Sequence, residues 1–76
     1  MELARFHANR QLDRYAEGVN QFKRGELDIV SLIELGEQVK ADYLKDVEEP
    51  EIRKHLSQFE IGDIWNRLLK RVRGLI

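Results

Sequence analysis

Leu12, Tyr15, Val19 and Phe22 recur at spacings of three and four, and the same rhythm returns further along the chain. A stripe of that period is buried as a unit only on one side of an α-helix, so it constrains the fold more than any other feature. In the first segment, about residues 3–24, Leu3, Phe6 and Ala8 extend the apolar content upstream. Arg10, Asp13, Arg14, Glu17 and Gln21 make the opposite face. Arg10 with Asp13, and Arg14 with Glu17, are opposite charges three apart, a spacing that supports an exposed helix. Gly18 interrupts the pattern and either permits a close helix crossing or marks a bend. Lys23 and Arg24 followed by Gly25 read as a helix stop: cations suit the negative helix end, and glycine accepts the left-handed conformation.

A second helix is expected over about 28–47. Asp28 can accept from the free amides of the first turn as N-cap, and Leu27 with Leu32 has staple spacing. Ile29, Leu32, Gly36, Val39 and Tyr43 form its stripe, widened by Ile33 and Leu44. A connection as short as Gly25-Glu26-Leu27-Asp28 predicts that the first two helices form an antiparallel hairpin. Pro50, flanked by Glu48, Glu49 and Glu51, breaks the pattern and suits the first turn of a new helix. That third helix is expected over 50–58, with Ile52, Leu56 and Phe59 on its apolar side. The phase then shifts. Ile61, Trp65, Leu68, Val72 and Leu75 form a last stripe, with Ile64 and Leu69 beside it. Gly62-Asp63 reads as a turn and cap, and a fourth helix is expected over 63–73, with Asp63 and Arg67 as a favourable i,i+4 pair. Gly74 ends it, and Leu75-Ile76 follow as an apolar tail. The expected architecture is all-α, one helical domain over 1–76, built as a small bundle of three to four helices.

A chain of 76 residues has material for one modest core. Domains of this size are marginal alone and need a staple, a metal, self-association or very regular helix packing. With no cysteine, disulfides are excluded. That composition fits a reducing compartment, and no signal-like or bilayer-length apolar run occurs, so the expectation is a cytoplasmic protein without a membrane span. The net charge of -1 gives no global field toward nucleic acid or membrane. The charge is nonetheless segregated. Residues 26–49 carry eight acidic and two basic side chains, whereas residues 63–76 carry four basic and one acidic.

Catalytic chemistry finds little footing. Ser31 and Ser57 lack the strained turn or neighbouring base of a nucleophile and read as helix-surface residues. His7 and His55 are the histidines. Glu51 and His55 could share a helix face, but a zinc site needs a third ligand and none is evident, so a helix ion pair is the expectation. Asp42, Asp46, Glu48, Glu49 and Glu51 form an acidic cluster without the spacing or glycine of an EF-hand loop. It reads as a solvated surface, or as a docking face for a basic partner or a crude imitation of a phosphate backbone. No enzyme, cofactor or metal site is expected.

Arg67, Lys70, Arg71 and Arg73 lie opposite the apolar side of the last helix, which carries Trp65, Leu68, Leu69 and Val72. Three readings compete. The basic patch meets the acidic second helix, within one chain or across a dimer. Or it contacts nucleic acid, the third and fourth helices passing for a helix-turn-helix, although its first turns offer Asp63, Ile64, Trp65 and Asn66 rather than a row of base-reading donors. Or it rests on an anionic membrane surface. Phe6, Tyr15, Phe22, Tyr43, Phe59 and Trp65 are core residues first, and Trp65 doubles as an interface anchor, with Leu69, Leu75 and Ile76 beside it. The function this favours is a non-enzymatic interaction or regulatory module. It would self-associate, as a homodimer, and bind a macromolecular protein partner through helix faces, using Trp65, Arg67, Leu69, Lys70, Arg71 and Arg73 together with Asp42, Asp46 and Glu49. The alternative is a small DNA-binding or transcription accessory protein.

Overall fold

In the computed structural model, which describes residues 2–74, four helices follow one another: α1 Glu2–Lys23, α2 Ile29–Asp46, α3 Pro50–Arg53 and α4 Gln58–Arg73. The described residues contain no strand. α1 and α2 pack as a hairpin, and α4 lies along it, chiefly against α1. The molecule is elongated, 42 × 19 × 16 Å. The expected all-α architecture is therefore observed.

The hairpin turn has identifiable causes. Gly25 adopts a φ of 75°, the left-handed region. Its amide donates to the Phe22 carbonyl at 3.1 Å, and the Glu26 amide donates to the Gln21 carbonyl at 2.9 Å, which closes the last turn of α1. Two residues further on, the Asp28 carboxylate accepts from the Ser31 amide at 2.7 Å and caps α2. The same bond holds the Asp28 carboxyl below its ordinary pKa. α1 runs unbroken through Gly18, where a Cβ would run into Leu35 Cδ2. Gly18 thus permits a close approach of the two helices and does not mark a bend.

Ala4, Ala8 and Leu12 of α1 meet Val39, Tyr43 and Val47 at the far end of the hairpin, with Ile52 of α3 and Ile61 and Trp65 of α4 completing the core. Ala4 and Ala8 are fully buried, and small side chains there bring the other helices close to α1. Tyr43 and Trp65 stack with ring centroids 4.9 Å apart. The Tyr43 hydroxyl donates to the Ile61 carbonyl at 2.7 Å, and burial pushes its pKa up to about 12.

Several expectations need correction. α3 is a single turn rather than a helix over 50–58, and α4 begins at Gln58 rather than Asp63. The cap is Ser57, whose hydroxyl accepts from the Glu60 amide at 3.2 Å. Ser57-Gln58-Phe59-Glu60 has the serine-to-glutamate spacing of a capping box, which outweighs Gly62 as a punctuation mark. Ser57 is thus a helix cap rather than a generic surface serine, and Gly62 and Asp63 lie inside α4. The single turn of α3 is also too short to act as the first helix of a helix-turn-helix pair. Once residues 58–73 are one helix, Phe59 sits about a third of a turn from Trp65, and it is 81% exposed. Phe6, at 58%, likewise misses the core. Ile29, Ile33 and Leu44 were expected to join the buried stripe of α2; they are exposed because no other helix covers that side. Leu75 and Ile76, read as an apolar tail and candidate anchors, lie outside the described residues.

Candidate functional site

Two acidic residues of α2, Asp42 and Asp46, are bonded to side chains of α1. Asp42 accepts from Arg14 at 2.8 Å and from Gln38 at 3.0 Å. The Arg14 hydrogen bond, ahead of the others, holds the Asp42 carboxyl below its ordinary pKa. Asp46 accepts from Arg10 at 3.1 Å and from Gln11 at 3.0 Å, and His7 Nδ1 approaches it at 3.9 Å. Gln11 is almost fully buried and also takes a hydrogen bond from Arg14, so these side chains form one seam along the hairpin. Arg10 and Arg14 therefore pair across to α2 rather than with Asp13 and Glu17 on their own helix. Within the chain, no ion pair among the described residues joins the acidic α2 to the basic α4. The reason is angular: Asp42 and Asp46 stand on the α1 side of α2, and α4 passes on the other.

The basic face of α4 divides into two flanks. Arg67 and Arg71 lean toward α1, where with Arg5, Asn9, Ile64 and Leu68 they border a cleft of about 280 Å³. Arg67 is tied to Asp63 at 2.9 Å, the i,i+4 pair expected from the sequence. Lys70 and Arg73 lean the other way, over a larger groove of about 610 Å³ between α2 and α4. Tyr15, Gly36, Val39, Trp65 and Leu69 form its floor, and Ile33, Glu37 and Lys40 form the opposite wall. The floor is apolar and its rim carries three cations and one anion.

Of the candidate residues, the structure brings Trp65, Leu69, Lys70 and Arg73 to this one groove. Arg67 and Arg71 lie on the other flank, and Asp42 and Asp46 belong to the seam between α1 and α2. Glu49 is exposed at the N-cap position of α3, where its side chain makes no capping bond. Trp65 is 2% exposed, so it is the packed floor of the groove rather than a projecting anchor. Residues not read from the sequence as partner-binding complete the groove, among them Tyr15, Gly36, Glu37 and Lys40. Gly36 was legible as part of the α2 stripe. Its use becomes clear only from the Tyr15 ring, which would stand 3.1 Å from a Cβ at that position.

Glu51 and His55 do not share a helix face, because α3 ends at Arg53, and the expected ion pair between them is not formed. Among the described residues, no three His, Asp or Glu side chains converge as a metal site requires. No helix of the described residues is long and apolar enough to cross a membrane. No protein-family model, curated protein or solved structure matches the chain.

Proposed function

We propose that this chain is a helical interaction module that works by binding rather than catalysis: it self-associates and takes a macromolecular partner through its helix faces. The observation that carries this reading is the open α2–α4 groove, with its apolar floor, its basic rim and the 55% exposed Ile33 on its wall, together with Leu44 and Phe59, exposed by 41% and 81% elsewhere on α2 and α4. Apolar side chains left at the surface next to a concave apolar site are the usual mark of an interface. The rim of Lys40, Lys70 and Arg73 complements an acidic partner and would steer its approach. Sedimentation equilibrium over a concentration and salt series tests the reading. A reversible dimer or higher oligomer is expected, and a monomer at every concentration removes self-association from it.

A second reading, a small DNA-binding or transcription accessory protein, is favoured by Arg5, Arg67 and Arg71 on one side of α4. Binding through so few phosphate contacts would be weak, with a salt dependence in proportion to their small number. A gel shift at low salt that disappears on reversal of Arg67 and Arg71 to Glu supports it, and no shift at low salt removes it.

A further inference from the structure

Along the uncovered side of α2, Ile33, Glu37, Lys40 and Leu44 follow one another at intervals of four, three and four residues. Those intervals keep them on one face of a helix. All four are exposed, the two apolar ones by 55% and 41%. Neither Glu37 nor Lys40 has an ion-pair partner among the described residues. The row is palindromic in spacing and inverts in charge: apolar, acid, base, apolar from one end; apolar, base, acid, apolar from the other.

From this we infer that α2 pairs antiparallel with α2 of a second copy of the chain, about a twofold axis lying between Glu37 and Lys40. The inference rests on the self-associating reading above and supplies its surface. In that register Ile33 of each copy packs on Leu44 of the other, and Glu37 of each copy faces Lys40 of the other. A twofold interface must present the same patch from both sides, and this row satisfies that condition with every contact made twice. Ile29 and Val30, 53% and 60% exposed, extend the apolar face beyond Ile33 at both ends of the interface. The alternative, a different protein on the same face, needs no such symmetry in the row. The self-complementarity of charge therefore favours a second copy.

The test uses two single reversals, Glu37→Lys and Lys40→Glu, with sedimentation equilibrium at low salt and far-UV circular dichroism to confirm that each variant stays helical. Each reversal replaces two attractions by two repulsions across the axis and is expected to weaken dimerisation by about tenfold or more. An equimolar mixture of the two variants should form a heterodimer. There the lysine introduced by Glu37→Lys faces the glutamate introduced by Lys40→Glu, and the remaining Lys40 of the first variant faces the remaining Glu37 of the second. The double variant should dimerise with itself. Lys70 and Arg73 stand across the groove from Glu37, but an effect routed through them would not be rescued by mixing. A wild-type chain that is monomeric throughout overturns both the inference and the self-associating reading. A wild-type dimer that ignores both reversals, or single variants that stay apart when mixed, overturns this register and leaves self-association standing.

Discussion

Val39, Tyr43 and Val47 are fully enclosed, whereas Ile29, Val30 and Ile33, earlier in the same chain segment, are 53%, 60% and 55% exposed. Both groups are β-branched or aromatic and follow helical spacing. What separates them is the reach of the other elements. At the far end of the hairpin, α3 and α4 supply Ile52, Ile61 and Trp65, and the small Ala4 and Ala8 let them come close. At the end nearest the turn, α1 covers one flank of α2, and α4 stands off across the open groove without covering Ile33. Apolar periodicity records that a face was built to be buried. It does not record whether the cover comes from the same chain.

Truncating a side chain at each end tests this contrast most directly. Trp65→Ala should cost about 3–5 kcal/mol in chemical denaturation, the ordinary cost of emptying a large buried aromatic. Loss of the Ser57 cap comes next. Ser57→Ala should cost about 1 kcal/mol and lower the melting temperature, and Ser57→Asp should recover most of it, because a carboxylate can accept from the same amide. An unchanged melting temperature in Ser57→Ala would mean that α4 starts elsewhere.

Tyr43→Phe probes the closed end with a single atom. It removes the hydrogen bond to the Ile61 carbonyl, a loss of about 1 kcal/mol at neutral pH. It also changes the alkaline limb. The folded Tyr43 holds its proton up to about pH 12, above its ordinary value of 10.0. The folded state therefore binds more protons than the unfolded state between these values, and stability that is whole below pH 10 is lost as pH rises through that window. Melting followed across the same window should show a shallower decline in Tyr43→Phe than in the parent chain. Ile33→Ala, at the open end, should move stability by less than about 0.5 kcal/mol when measured below the concentration of association. A cost comparable to that of Trp65→Ala would abolish the contrast between the two ends.

The smallest effect belongs to the seam between α1 and α2. Arg14 holds the Asp42 carboxyl below its ordinary range, so the stability this contributes is present above the ordinary carboxylate pKa and disappears as pH falls through the lowered one. Arg14→Ala should therefore lower the melting temperature slightly at neutral pH and leave it unchanged in acid, which flattens the acid limb of the profile.

Local chemistry made the hairpin readable. Gly25 as a stop, Asp28 as a cap and the stripes of α1 and α2 each have a cause within a few residues. The same kind of local cause placed the start of α4, but there two signals competed. Gly62 and Asp63 resemble a turn, while Ser57 and Glu60 spaced three apart are the stronger instruction, since such a pair can satisfy two orphan amides together. The groove was half legible. Trp65, Leu69, Lys70 and Arg73 stand out on α4 by themselves, but Tyr15, Glu37 and Lys40 acquire meaning only when α2 and α4 are set on either side of α1. The same holds for Asp42 and Asp46, whose arginine partners are 28 and 36 residues away in the chain. Periodicity gives a face its polarity but not its azimuth against a neighbour, and azimuth decided which helix received the carboxylates.

Trp65 is the chain's single tryptophan, and it sits at the contact between α4 and Tyr43. Its emission is therefore a one-residue report on the docking of α4, while far-UV circular dichroism weighs the 22 and 18 residues of α1 and α2 above the 16 of α4. The hairpin is closed by its own capped turn, whereas α4 hangs from it through the single turn of α3. In a denaturant titration the emission change should lead the loss of ellipticity, as expected when one unit detaches before the rest. The groove would then behave as a hinge with a fluorescent pin: one wall swings away while the hairpin that forms the other is still standing.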